Sequence, residues 1–146
     1  MASEAYNVIP SRILWAGPLA ILASVAAVLC VRVAAVAILH PAERFQPLHW
    51  APPIIDTVIL VSGAVLVFGF VSTLAANPIR TFRTIAASVL LLSFIPDVLI
   101  AINRPLGGGW PEALALMAMH LAAWSVTVTI LIRLTAVKTE PSDTSS

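Results

Sequence analysis

Four long apolar runs constrain this chain more than any other feature. They cover residues 13–39, 54–75, 85–102 and 113–132 of the 146. Each has about the length of helix needed to cross a hydrocarbon core of roughly 30 Å. In lipid every backbone N–H and C=O must be satisfied within the segment, which restricts a spanning run of this kind to a helix. The expected fold is therefore all-α, a four-helix transmembrane bundle over residues 13–134. An amino-terminal tail of residues 1–12 precedes it, and residues 135–146 read as a disordered carboxy-terminal tail rich in Ser, Thr and acidic residues.

Composition agrees with that class. Hydrophobic residues make up 60% of the chain and charged residues 10%, against about half and a quarter in a soluble domain. The four spans leave no stretch for a soluble catalytic domain, so binding or chemistry must use the bundle or the first loop. A net charge of +1 argues against nucleic acid, whose recognition needs clustered Lys and Arg. The single cysteine, Cys30, excludes a CxxC redox pair and a multi-cysteine metal site. Leu29 precedes Cys30 and the apolar run continues past it, so a lipoprotein cleavage box is rejected. The first ten residues lack a basic region ahead of the run, and a retained first span is expected rather than a cleaved signal. No GxSxG turn or HExxH pair occurs, so serine hydrolase and zinc protease readings drop out and a membrane-embedded enzyme ranks third; no GxxxG motif supports dimerisation by that route.

Local signals divide the runs. Trp15 suits the membrane interface, and Ala20, Ala23, Ala26 and Ala27 suggest a close-packing face on the first helix. The first loop, residues 40–53, contains four prolines, Phe45, Trp50, His40 and His49. It cannot be helical throughout and is too apolar to float free, so it is expected to lie on the membrane or cap the bundle. Pro52 and Pro53 suit the first turn of the second helix. Asn77-Pro78 marks a turn, and Arg80 and Arg83 are expected before the third helix. A triglycine turn ends at Gly109, and Glu112 is placed to meet the positive end of the fourth helix.

Four ionisable residues interrupt the runs: Arg32, Asp56, Asp97 and His120. Counting from the nearest helix ends at 1.5 Å per residue puts them roughly 10, 5, 9 and 13 Å deep, all in the same half of the bundle. Groups at that depth are costly and usually pair or serve a function. An Arg32–Asp97 ion pair, completed by His120 and Asp56, is the simplest arrangement. Ser93 lies one turn before Asp97 and is placed to donate to it. Pro96 removes the N–H that the Leu92 carbonyl would use. Met117 and Trp124 share the His120 face at helical spacing. His120 has the chemistry of a haem ligand, but no second intramembrane histidine accompanies it. A metal among His120, Asp97 and Asp56 would be opposed by the nearby Arg32 charge. No cofactor is therefore expected.

The stretch of residues 90–98, Leu-Leu-Leu-Ser-Phe-Ile-Pro-Asp-Val, followed by Ala113 through Ala122 with its Met119-His120 pair, resembles a bacterial family of small four-span membrane proteins, a domain of unknown function. On that resemblance Pro96, Asp97, Met119 and His120 match the family pattern. The resemblance implies the four-span fold and assigns no activity.

Orientation follows from the basic residues. Arg12, Arg80, Arg83, Arg133 and Lys138 fall on one side of a four-span chain, Arg44 and Arg104 on the other. The positive-inside rule then places both termini in the cytoplasm of a multi-pass cell-membrane protein. The functional expectation is a non-enzymatic protein whose outer-half polar pocket binds a small molecule, lipid or partner subunit. The alternative is an oligomeric transporter or proton-coupled carrier component using Asp97 and His120. The partners these readings allow are the lipid bilayer and either further copies of the chain or another membrane subunit.

Overall fold

The structure, a computed structural model, describes residues 6–104 and 108–138. Four helices run up and down: α1 (Pro10–Leu39), α2 (Ala51–Leu74), α3 (Pro78–Asn103) and α4 (Trp110–Thr135). All four are long and apolar enough to cross a membrane. Every one carries a proline in its first turn, Pro10, Pro52, Pro78 and Pro111. The missing N–H is harmless there, because the first four amides of a helix have no internal acceptor. His40 and Arg104, just past α1 and α3, adopt left-handed backbone with φ of 46° and 49°. Their N–H groups close back on Val36 and Ile100, a C-terminal stop that turns the chain sharply.

Large apolar side chains point outward along every helix. Leu66 is 75% exposed, Phe70 68% and Leu91 66%. Such a surface would be costly in water over this area, whereas lipid tails solvate it without penalty. The chain is a multi-pass membrane bundle.

Inside, α1 packs most extensively along α4, and α3 also lies against α4, while α2 and α3 touch each other less. The buried line on α1 is Ala16, Ala20, Ser24, Val28 and Arg32, a strict four-residue spacing that keeps one stripe against its neighbours. This corrects the alanine face read from sequence: Ala20 belongs to it, whereas Ala26 is exposed and Ala23 and Ala27 are half-buried. Two apolar clusters result. One centres on Phe68, Phe82 and Leu131 towards the terminal end, where the Phe68 and Phe82 rings meet edge-on at 4.7 Å. The other joins Val28, Phe45, Leu48, Leu116 and Met119 at the loop end. Between them Ser24 Oγ and Thr127 Oγ1 share a hydrogen bond of 2.9 Å.

The ends differ from the sequence expectation. Residues 135–146 are not disordered throughout: Thr135 completes α4, and β2 (Ala136–Lys138) pairs antiparallel with β1 (Tyr6–Val8) in the tail that precedes α1. The two segments emerge side by side from the same end of the bundle, and pairing satisfies backbone groups that would otherwise need water. The remaining tail positions, 139–146, lie outside the described residues. α3 begins at Pro78, so Arg80 and Arg83 belong to its first turns rather than to the connector. The expected triglycine turn lies partly outside the described residues. Gly109 N–H donates to Glu112 Oε2 at 2.8 Å, which satisfies one of the free amides at the start of α4 as its acidic residue suggests.

The first loop caps the bundle. Residues Gln46–Leu48 form a single 3-10 turn, and Phe45 and Leu48 are each 2% exposed. Any side chain at Gly108 would collide with the Phe45 ring, so the start of α4 packs directly over this loop.

Candidate intramembrane polar site

The four ionisable residues do not form one cluster. Asp97, 3% exposed, projects from α3 towards α4, where its Oδ2 lies 3.2 Å from His120 Nδ1. The same ring nitrogen lies 3.0 Å from the Leu116 carbonyl one turn earlier. A carbonyl only accepts, so Nδ1 carries the proton and Nε2 is left either as a lone pair or, in the imidazolium, as a second donor. The N–H aligns with Leu116, and among the described residues Asp97 Oδ2 has no aligned hydrogen-bond donor. The carboxylate contact is thus an electrostatic approach with an acceptor still unfilled, in surroundings where that is expensive.

Arg32 departs from the expectation. Among the described residues no carboxylate lies within ion-pair distance of it. Its Nε donates instead to the Leu48 carbonyl at 2.8 Å, with the His49 carbonyl at 3.4 Å. The Trp50 ring lies over the guanidinium, 3.7 Å from Cζ to the ring centroid. The physical reason is local: the 3-10 turn folds Leu48 and His49 over the end of α1 and presents their carbonyls to Arg32. Asp97 is engaged across a different helix pair. Asp56 is exposed near the start of α2 and forms no ion pair among the described residues.

The supporting residues divide similarly. Ser93 Oγ donates to the Leu90 carbonyl at 2.7 Å rather than to Asp97, the usual choice of a serine inside a membrane helix, whose own backbone is the nearest acceptor. α3 remains continuous through Pro96. Met117 is half-buried and Trp124 lines the same cavity as His120.

That cavity is the feature sequence reading missed. It has a volume of about 410 Å³ and lies between α2, α3 and α4, with His120, Trp124, Ser93, Gly63 and Ala64 on its wall. It exists because small residues, Gly63 and Ala64 on α2, Ala86 on α3 and Ala123 on α4, face one another where bulkier side chains would meet. Their coincidence at one level was the available signal. The lining is almost wholly apolar, with the His120 ring as its ionisable group. Trp124 Nε1 is buried without a hydrogen-bond partner among the described residues. Among the described residues no group of three His, Cys, Asp or Glu side chains converges as a metal site would require.

Comparison with protein-family models, with curated proteins and with solved structures finds no match to this chain.

Proposed function

We propose that this chain is a non-enzymatic integral membrane protein that binds an apolar small molecule or a lipid chain in the crevice between α2, α3 and α4. The observation that carries this reading is the crevice of about 410 Å³ with one histidine on its wall. Its size falls in the range of ligand sites, and its chemistry matches them, largely apolar with a few polar groups to fix orientation. His120 supplies the orienting group through Nε2, since the Nδ1 proton is given to the Leu116 carbonyl. The balance of basic residues supports both termini on the cytoplasmic side of a cell membrane.

The test is retention of a bound molecule. Native mass spectrometry of the full chain, released from mild detergent, should detect a co-purifying apolar species. Gly63→Leu is the discriminating variant, because a Cβ at Gly63 meets nothing within 4 Å, so a longer side chain there enters open space. It should fold as the native chain does and lose the bound species. Equal retention in the variant removes the crevice as the site.

A second reading, an oligomeric transporter or proton-coupled carrier component, draws on the Asp97–His120 contact. A carboxylate beside an imidazole at membrane depth is the usual composition of a proton relay. Proton flux through reconstituted vesicles that disappears in His120→Gln would favour this reading over simple binding.

A further inference from the structure

A second site stands apart from the crevice, at the loop end of α1. Arg32 is 7% exposed, and its guanidinium keeps its charge in any environment a protein offers. Nε is used by the Leu48 and His49 carbonyls and one face is covered by Trp50. Among the described residues the hydrogen bonds of Arg32 all start from Nε, leaving Nη1 and Nη2 without an acceptor, and no carboxylate approaches within ion-pair distance. The charge is therefore anchored and oriented but not neutralised. At the edge of a hydrocarbon layer a charge left in that state favours an anionic partner.

Arg32 also stands on the wall of a cavity of about 330 Å³, shared with Val36, His40, Glu43, Phe45 and His49 among others. The left-handed turn at His40 folds the loop back to form its wall. His49 Nε2 and the Glu43 carbonyl, 2.8 Å apart, hold the loop closed on itself. Arg32 lies seven residues inside the end of α1, roughly 10 Å along the axis, and a long side chain near a helix end reaches the headgroup layer.

We propose that Arg32 and this cavity form a binding site for a phosphate oxyanion, held end-on by Nη1 and Nη2. Two parallel N–H groups match two oxygens of a tetrahedral phosphate. The stacked Trp50 and the carbonyl-bound Nε fix the plane of the fork in advance, which lowers the ordering cost of binding. The phosphate belongs either to a membrane lipid headgroup or to a free phosphate compound. Glu43, exposed at the cavity wall, is the carboxylate among the described lining residues that would compete for Arg32, and the experiment includes it.

The full chain in an uncharged detergent is unfolded by heat with sodium phosphate and with sodium chloride at matched ionic strength. It is unfolded again in bilayer discs of phosphatidylcholine with and without phosphatidylglycerol, and lipid retention is read by native mass spectrometry. Phosphate occupancy predicts a saturable rise in unfolding temperature with phosphate, with the anionic lipid, or with both. It also predicts retention of the anionic lipid about tenfold over the zwitterionic one if the headgroup is the source, because the choline cation of the zwitterionic lipid competes with Arg32 for the phosphate both lipids carry. Stabilisation by phosphate and not by the lipid assigns the site to a free compound, and the reverse assigns it to the headgroup. Arg32→Gln should abolish the effect and Arg32→Lys, which keeps the charge without the fork, should weaken it. Should Arg32→Gln not fold, Glu43→Gln decides. Removing a competing carboxylate leaves anion binding unchanged or tighter, whereas loss of binding in Glu43→Gln means that the ligand is not an anion opposed by Glu43 at Arg32 and overturns the proposal. No stabilisation by phosphate or anionic lipid over the controls, or an equal effect in folded Arg32→Gln, also overturns it.

Discussion

His120 Nδ1 stands 3.2 Å from Asp97 Oδ2, a contact that ties α4 to α3 at the end of the crevice. The carboxylate is buried and lacks an aligned donor, so its energetic worth depends on the charge that the imidazole can carry. A double-mutant cycle isolates that worth. Asp97→Asn and His120→Gln preserve size and hydrogen-bonding capacity, and both should fold. The coupling between them should be about 1 kcal/mol, the scale of contacting polar pairs. Additive losses would show that the two groups are neighbours without interacting.

Ser24 and Thr127 give a second measurable link, between α1 and α4. Their hydroxyls are 2.9 Å apart and buried, and one must donate to the other. Interhelical hydrogen bonds in membranes average about 0.6 kcal/mol and reach about 1.7. Ser24→Ala should therefore lower unfolding free energy by an amount in that range. Thr127→Val in the same background should add little, because the bond is already gone. A full second loss would mean that the Thr127 hydroxyl has a role independent of Ser24, since valine keeps its shape.

The helices were legible in the sequence because lipid leaves a long apolar segment few alternatives, and the prolines at 10, 52, 78 and 111 mark the start of each. The polar pairing was not. Depth along a helix can be counted from sequence, and it placed Asp97 and His120 at comparable levels. Depth says nothing about which faces meet, and Arg32, Asp97 and His120 leave three different helices. Arg32 found backbone acceptors in a proline-rich loop whose fold has no periodic signal. The crevice was invisible for a related reason: Gly63, Ala86 and Ala123 leave space only because the bundle brings them together. The pairing of β1 with β2 escaped because both strands are three residues long and their contact joins opposite ends of the chain.

Gly17 gives a test of how closely α1 approaches α2. A Cβ added there would lie 2.9 Å from Val65 Cγ1, inside ordinary contact distance. Gly17→Ala should destabilise by about 1–3 kcal/mol, the range for overpacking a filled interface, despite the better helix propensity of alanine. Val65→Ala should restore most of the loss, since it removes the atom that clashes. Thermal unfolding of the two single variants and the pair measures this directly. Failure of the pair to recover would move the strain away from Val65.

The orientation proposed from basic residues is open to labelling. Arg12, Arg80, Arg83, Arg133 and Lys138 lie at the end that carries β1, β2 and the α2–α3 turn, opposite Arg44 and Arg104. The protein's own thiol, Cys30, is exposed on α1 within the span, so the probes belong in a Cys30→Ser background. Glu43 and Ala76 are both exposed and sit at opposite ends. A membrane-impermeant maleimide added to intact cells should modify Glu43→Cys and spare Ala76→Cys until the membrane is opened. The reverse pattern would place both termini outside and leave the excess of arginine on the wrong side for the positive-inside rule. Labelling of both from outside would break the bundle's topology, because α2, 24 residues of apolar helix between the two probes, could not then cross the membrane.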